Sequence, residues 1–138
     1  MLIAMKNSTL NSTRLLMLGD AVIFSVFAIG GRETHAAADA NLIVNALPTL
    51  LTFLLVWIAV ARLIGVWRAE VIAHPRRALA RTLIAWAVAG PIGLVVRAVI
   101  LSSPAIPLSF VMVTLGLNGS LLLLWHGGYA WWRARHLV

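Results

Sequence analysis

Four apolar runs constrain this sequence more than any other feature, because each is about as long as a bilayer is thick. They cover residues 15–31, 42–64, 83–101 and 108–125. A helix needs about 20 predominantly apolar residues to cross the hydrocarbon core of a membrane. Since the backbone in lipid must satisfy its own hydrogen bonds, runs of this length form helices. The sequence therefore predicts an all-α fold, an integral membrane bundle of four transmembrane helices, as a single domain over residues 1–138.

The composition supports this prediction, because a soluble chain of this size could not bury so much apolar surface. Hydrophobic residues make up 62% of the 138 residues and charged residues 11%, whereas soluble domains average about 45–50% and about 25%. These values exclude a disordered chain and an ordinary cytosolic enzyme. The sequence contains no cysteine, which excludes a disulfide scaffold.

Motifs of catalysis are missing from the sequence. It contains no glycine-rich phosphate loop, no nucleophile elbow and no helix with paired histidines at ligand spacing. We therefore expect no enzymatic activity, no cofactor and no metal site.

The basic residues indicate how the helices cross the membrane. With four spans, the N-terminus, the second loop and the C-terminus share one side, which carries nine of the eleven basic residues: Lys6, Arg14, Arg62, Arg68, Arg76, Arg77, Arg81, Arg133 and Arg135. The opposite side carries Arg32 and Arg97. Because basic residues concentrate on the cytoplasmic side, we expect both termini there. The net charge of +7 then predicts contact with anionic membrane lipids and not with nucleic acid.

Most of the tryptophans also fall near the basic side. These residues are Trp67, Trp86, Trp125, Trp131 and Trp132. Amphipathic indole rings prefer the level of the lipid headgroups. We therefore expect these five side chains to form an interfacial belt.

The first apolar run has an alternative interpretation as a secretory signal peptide. A basic residue, Arg14, precedes a short apolar run, and three alanines follow at residues 36–38, as in a signal peptide with its cleavage site. However, Asp20 interrupts the apolar run. We therefore expect this segment to stay in the protein as the first transmembrane helix.

An acidic residue, Asp20, lies inside the first apolar run. Carboxylates within a membrane are costly, and they usually face the bundle interior or a watery cavity, which makes them candidates for function. Alternatively, Asp20 lies close enough to the interface to reach water, or it caps a neighbouring helix.

A basic residue, Arg97, lies about one turn from the end of the third run. It follows Ala85, Ala89 and Gly93 at intervals of four residues, a ladder of small side chains that allows another helix to approach closely. We therefore expect Arg97 to turn into the bundle and to pair with Glu33 or Asn45. The alternative is that Arg97 extends outward to the membrane surface.

The first helix is expected to end in the polar sequence Gly30-Gly31-Arg32-Glu33-Thr34-His35. Glycine favours the end of a helix. A histidine beside an acid can change its protonation state near neutral pH. The candidate polar site predicted from the sequence therefore consists of Asp20, Arg32, Glu33, His35, Asn45 and Arg97.

A histidine, His126, follows Trp125 at the inner end of the fourth run. A histidine in an apolar helix can ligate the metal of a haem or another pigment. The more ordinary interpretation is a polar residue at the membrane interface.

Several of these residues resemble a known family. Asp20 early in the first helix, Phe27 near its middle, Gly31-Arg32 with His35, Pro48 early in the second helix and Arg97 late in the third are similar to the pattern of domain of unknown function 3054. That family comprises small prokaryotic membrane proteins. The resemblance implies four membrane-spanning helices in a bacterial or archaeal cell membrane, and it implies no activity, substrate or cofactor.

Three hypotheses for the function follow. The first is a structural or accessory membrane protein that self-associates or joins a larger complex, since Gly116 and Ser120 give the fourth helix a small-residue face. The second is a transporter or channel for a small solute or for protons, with Asp20 and Arg97 along the route. The third is a pigment- or haem-binding subunit with His126 as ligand.

Overall fold

The described part of the chain, residues 2–33, 41–102 and 105–136 of a computed structural model, is almost entirely helical. Its elements are α1 (Leu2–Glu33), α2 (Leu42–Ile64), α3 (Ala69–Ile72), α4 (Pro75–Ile100), α5 (Leu108–Val113), a π-helical turn (Thr114–Asn118) and α6 (Gly119–His136). Four segments are long and apolar enough to cross a membrane: Leu10–Gly30, Val44–Ile64, Pro75–Ile100 and Leu108–His136. The predicted all-α bundle of four transmembrane helices is confirmed.

The second span has its predicted bounds, whereas the other helices extend beyond the apolar runs. The helix α1 begins at Leu2, α4 begins at Pro75 and α6 ends at His136. Proline suits the first position of a helix because its missing N–H would have no partner there. Arginine has a high helix propensity. The apolar runs therefore mark the part of each helix suited to lipid, and the helices continue through the polar residues at their ends.

A tight turn follows α2 and brings the chain back toward the bundle. Gly65 adopts the left-handed conformation with φ of 79°, which glycine accepts at no steric cost. The N–H groups of Gly65 and Val66 both bond to the carbonyl of Ala61, as in a helix end closed by a left-handed residue. Arg81 donates a hydrogen bond to the carbonyl of Ile64 at 2.8 Å. The turn is thereby fixed, and the residue that leaves it, Trp67, points inward.

Aromatic side chains fill the centre of the bundle. Trp57 and Phe24 are fully buried, and both rings contact Trp86 on α4, with centroids 6.1 and 5.9 Å away. Trp86 also donates from its indole to the carbonyl of Leu115 at 3.0 Å. The core is therefore built around rings contributed by α1, α2 and α4.

The expected interfacial belt is wrong for two of its five tryptophans. Trp67 and Trp86 are 9% and 5% exposed and belong to the core. Trp131 and Trp132 on α6 are about half exposed, as expected. Indole rings can satisfy their N–H inside the protein as well as at the headgroups, and residues of α1 and of the π-helical turn supply such acceptors.

The ladder of small residues on α4 is confirmed as a packing face. Ala85 and Ala89 are buried, and a side chain at Gly93 would lie 2.6 Å from the ring of Phe53 on α2. Small residues let the two helix backbones approach closely. This close approach brings Arg97, at the next rung of the ladder, against α2.

Candidate functional site

A buried acidic residue, Asp20, is the centre of the most extensive polar contacts among the described residues. Its carboxylate is 1% exposed. The indole N–H groups of Trp57 and Trp67 donate to Oδ2 at 2.9 and 3.3 Å. His126 Nε2 lies 2.8 Å from Oδ1. We call Asp20, Trp57, Trp67 and His126 the Asp20 cluster.

Three different segments converge on this carboxylate. Trp57 lies on α2, His126 lies on α6, and Trp67 lies in the turn that follows α2. The hydroxyl of Thr13 on α1 donates to the carbonyl of Trp67 at 3.4 Å. The turn is thus held against α1 while its indole reaches Asp20. The cluster therefore ties together α1, α2, α6 and the turn.

Burial makes these hydrogen bonds strong and makes their loss costly. A charge removed from water is tolerated only when it is paired and hydrogen-bonded. Both oxygens of Asp20 have partners, and His126 is only 2% exposed. The contact between the two residues fits an ionised carboxylate that accepts from the imidazole, and it equally fits a protonated carboxyl that donates to it.

A second polar contact lies toward the other end of α4. The Nε of Arg97 donates to Oγ1 of Thr49 at 3.0 Å, and its guanidinium lies 4.3 Å above the centre of the Phe110 ring. Thr49 is 6% exposed and Arg97 is partly buried. Arg97 therefore turns toward α2 and the start of α5, in agreement with the inward orientation expected from the sequence.

The two sites lie at different depths. On α2, Thr49 contacts Arg97 and Trp57 contacts Asp20. These two α2 residues are eight positions apart, which corresponds to about 12 Å along the helix axis. The buried ring of Phe53 lies between them on the same helix. The sequence grouped Asp20 and Arg97 in one candidate site, and the structure does not bring them together.

Of the other predicted site residues, only Asn45 has a described side chain. Asn45 is one turn before Thr49 on α2 and is partly buried. Arg32 and Glu33 lie in the last turn of α1, but their side chains are outside the part of the chain that the structure describes. His35 also lies outside the described residues. The pairing of Arg97 with Glu33 or Asn45 remains a prediction.

Burial decides between the alternatives that the sequence left open for Asp20. Its side chain faces the bundle interior and does not reach water, and His126 is buried beside it, since each is at most 2% exposed. The helix α1 extends well beyond the apolar run, so Asp20 lies about ten residues inside the span that begins at Leu10. The position of a charge relative to an apolar run therefore did not give its depth.

The sequence did not identify the partners of these charged groups. Trp57, Trp67 and Thr49 carry no motif that marks them as hydrogen-bonding residues. The only sequence signal was that Asp20 and His126 are the ionisable residues within otherwise apolar runs near the same side. Such residues tend to face the bundle interior, where they can meet.

The π-helical turn holds two further buried polar side chains. Thr114 and Asn118 are fully buried, and within the described residues neither the Thr114 hydroxyl nor the Asn118 amide has a hydrogen-bond partner. The turn is fixed on its other side by the bond from Trp86 to Leu115. π-Helical turns frequently occur at functional positions in helices.

The comparisons with known proteins place this chain in one family. The model of the family described as protein of unknown function (DUF3054) matches residues 17–129, and the chain belongs to this family. The resemblance inferred from the sequence is thus confirmed. No curated protein and no solved structure matches the chain.

Proposed function

We propose that this member of the DUF3054 family is a structural or accessory membrane protein that catalyses no reaction and self-associates through the outer face of its fourth span. The observation that carries the proposal is a set of three small residues on the outer side of that span, Gly116, Ser120 and Gly128, which we call the outer stripe; the exposed Leu124 lies between the last two. All three are exposed, and no atom lies within 4 Å of a Cβ built on either glycine.

The inner face of the same span shows what such residues do when a partner is present. A Cβ on Gly119 would lie 2.7 Å from the ring of Trp86, and one on Gly127 would lie 2.6 Å from Leu79. The space beside these two glycines is therefore filled by side chains of α4. Gly116 and Gly128 face away from α4, and no side chain of the described chain lies within 4 Å of a Cβ built on either of them.

The occupant that best fits the outer stripe is the same helix of a second copy. In lipid, helices associate by close packing of small residues, because lipid tails are as apolar as leucine and supply no hydrophobic driving force. Two copies related by a twofold axis bring the same surface together, so one stripe is complementary to itself. In this assembly the Asp20 cluster fixes the helices within each copy.

Subunit counting in lipid bilayers tests self-association. We expect the parent protein to form dimers at low protein-to-lipid ratios, as measured by single-molecule photobleaching. Gly116→Leu or Gly128→Leu should shift the population to monomers, because a large side chain prevents close approach. Gly30→Leu is the matched control, because a Cβ built on Gly30 also has open space around it, whereas Gly30 lies on α1. The proposal would be refuted if the parent protein is monomeric, or if Gly30→Leu loses as much of the dimer as Gly116→Leu and Gly128→Leu do.

A second candidate function is proton or small-solute movement, which the buried pair of Asp20 and His126 favours. Intramembrane ionisable residues commonly serve proton relays. The route expected through both Asp20 and Arg97 would have to pass the ring of Phe53 that separates the two levels. Proton flux into proteoliposomes, followed with an internal pH dye, tests this function: Asp20→Asn should abolish flux that Ser25→Ala leaves intact.

Pigment or haem binding through His126 receives no support from the geometry. The Nε2 atom lies 2.8 Å from Asp20, and the ring of Trp57 lies 6.1 Å from the imidazole ring, centre to centre. Ligation through Nε2 would require this hydrogen bond to break inside the core. An absorption spectrum of the purified protein tests the hypothesis directly.

A further inference from the structure

A groove of about 160 Å³ opens where α2 ends, at the end of the bundle that carries most of the basic residues. Residues from α1, from the last turn of α2 and from the following turn line it: Thr13, Ala61, Arg62, Gly65, Trp67 and Arg68. It thus combines two arginines, a threonine hydroxyl and the edge of a tryptophan. The level of the groove is the end of the candidate membrane span Val44–Ile64, where lipid headgroups would lie.

The backbone of the turn positions one of the two arginines. A Cβ at Gly65 would lie 2.7 Å from Nε and 2.8 Å from Cδ of Arg68. The stem of Arg68 therefore lies across the backbone of Gly65, in space that only glycine leaves free. Arg62 approaches from the last turn of α2. The two arginines thus flank one short turn and both line the groove.

Little negative charge competes for these arginines. Two of the carbonyls at the end of α2 are already used, because Ala61 accepts from two backbone N–H groups and Ile64 accepts from Arg81. Glu70 lies 4.0 Å from Arg68, and both side chains are about two-thirds exposed. Exposed ion pairs of this kind contribute little. An anion with several oxygens could therefore replace the Glu70 contact.

We infer that this groove binds the phosphate group of an anionic phospholipid. Arg62 and Arg68 donate to the phosphate oxygens, because the planar guanidinium matches phosphate with two parallel hydrogen bonds. The oxygen of Thr13 and the ring of Trp67 complete the walls. Anionic lipids are the phosphate source present at a membrane surface rich in basic residues. This site is independent of the proposed self-association, since α6 does not line it.

A neighbouring surface can accommodate an acyl chain of such a lipid. A second, almost wholly apolar groove of about 360 Å³ has Arg14, Met17 and Leu18 among its lining residues. Arg14 follows Thr13 directly, and Met17 lies one helical turn after it on α1. A headgroup in the first groove therefore has apolar surface close by for its acyl chain, which a free phosphate ion would not use.

Native mass spectrometry of the full chain in a mild detergent tests the inference with three probes: phosphatidylglycerol, phosphatidylcholine and inorganic phosphate. We expect phosphatidylglycerol to bind most tightly and to raise the melting temperature, because a ligand of the native state stabilises it. The double variant Arg62→Gln/Arg68→Gln should weaken this binding by roughly tenfold or more, since two charge-assisted contacts are lost. Both side chains are exposed, so the variant should melt like the parent when no lipid is added.

The matched control is Arg76→Gln/Arg77→Gln. It removes the same charge from exposed positions in the first turn of α4, outside the groove. We expect it to retain most of the affinity and the rise in melting temperature. If both double variants lose the same affinity for phosphatidylglycerol, the lipid is held by the overall positive charge and not by this groove. Two results would show that the ligand is not an anionic phospholipid. One is that phosphatidylcholine binds as tightly as phosphatidylglycerol, and the other is that inorganic phosphate displaces phosphatidylglycerol when both are present at the same concentration.

Discussion

Among the described residues, Asp20 and Arg97 are two ionisable groups that the bundle buries to different extents and holds in different ways. Asp20 has a short side chain in mid-helix, and it is surrounded by two indole N–H groups and a histidine. Arg97 lies near the end of its helix and is only partly buried. Its long side chain reaches a hydroxyl and an aromatic ring. Both oxygens of Asp20 thus have partners inside the core, whereas the contacts of Arg97 with Thr49 and Phe110 lie where its side chain is partly exposed.

This difference follows from the reach of each side chain. An arginine has a long apolar stem, so its charged group can extend toward water while the stem stays packed. A carboxylate on a single methylene group must find its partners within the core. We therefore expect the free energy of unfolding to depend much more on Asp20 than on Arg97.

The largest expected effect is that of Asp20→Ala. This substitution leaves the imidazole of His126 and two indole N–H groups without their partner inside the core, and each buried polar group without a partner costs about 1–3 kcal/mol. The loss should appear as a lower free energy of unfolding in SDS titrations of the protein in mixed micelles.

Ser25→Ala is the matched control for that measurement. Ser25 lies on the same helix, and its hydroxyl bonds to the carbonyl of Ala21 within its own helix. Its loss should change stability by only about 0.5 kcal/mol. If the two variants unfold alike, the Asp20 cluster does not hold the bundle together.

A smaller loss is expected for Arg97→Ala. A hydrogen bond to a charged group contributes about 1.5–3 kcal/mol, and partial exposure of Arg97 places the expected loss at the lower end of that range. Arg97→Lys should recover little of it, because lysine lacks both the Nε donor and the planar face that lies over Phe110.

Thr49→Val shows which contact of Arg97 matters. It removes the acceptor oxygen and keeps the size of the side chain. If the Nε hydrogen bond dominates, Thr49→Val and Arg97→Ala should lower the thermal midpoint by similar amounts, and the double variant should be no worse than the poorer single one. Additive losses would show that the hydrogen bond to Thr49 does not account for the stabilisation by Arg97.

The sequence predicted the helices better than it predicted the contacts. Apolar length alone located four spans, because lipid imposes the same requirement on every crossing segment. The small-residue ladder ending at Arg97 also predicted the correct helix face, since a period of four residues keeps side chains on one side. Both signals are local in the sequence, and for this reason they could be read without a structure.

The pairing of Asp20 with His126 could not be predicted in this way. The two residues are 106 positions apart, and their contact depends on how α1 and α6 pack. The inward turn of Trp67 depends on the left-handed conformation of Gly65, which the sequence analysis did not use. Buried polar contacts thus required the tertiary arrangement, whereas spans and helix faces did not.

The smallest expected effect, and the only one with the opposite sign, concerns Asn118 in the π-helical turn. Its amide is fully buried, and neither polar atom has a partner within the described part of the chain. A buried polar group without a partner carries a desolvation penalty of about 1–3 kcal/mol. Leucine has the same number of side-chain heavy atoms, branched at the same carbon, and carries no such penalty, although its larger volume would require some repacking of the core. Asn118→Leu should therefore raise the free energy of unfolding by about 1 kcal/mol, whereas Asp20→Leu should lower it, because the partners of Asp20 would lose their acceptor. Both values follow from the same SDS titration. A loss of stability in Asn118→Leu would contradict an amide without a hydrogen-bond partner. Asp20 and Asn118 would then no longer differ in whether their polar atoms have partners.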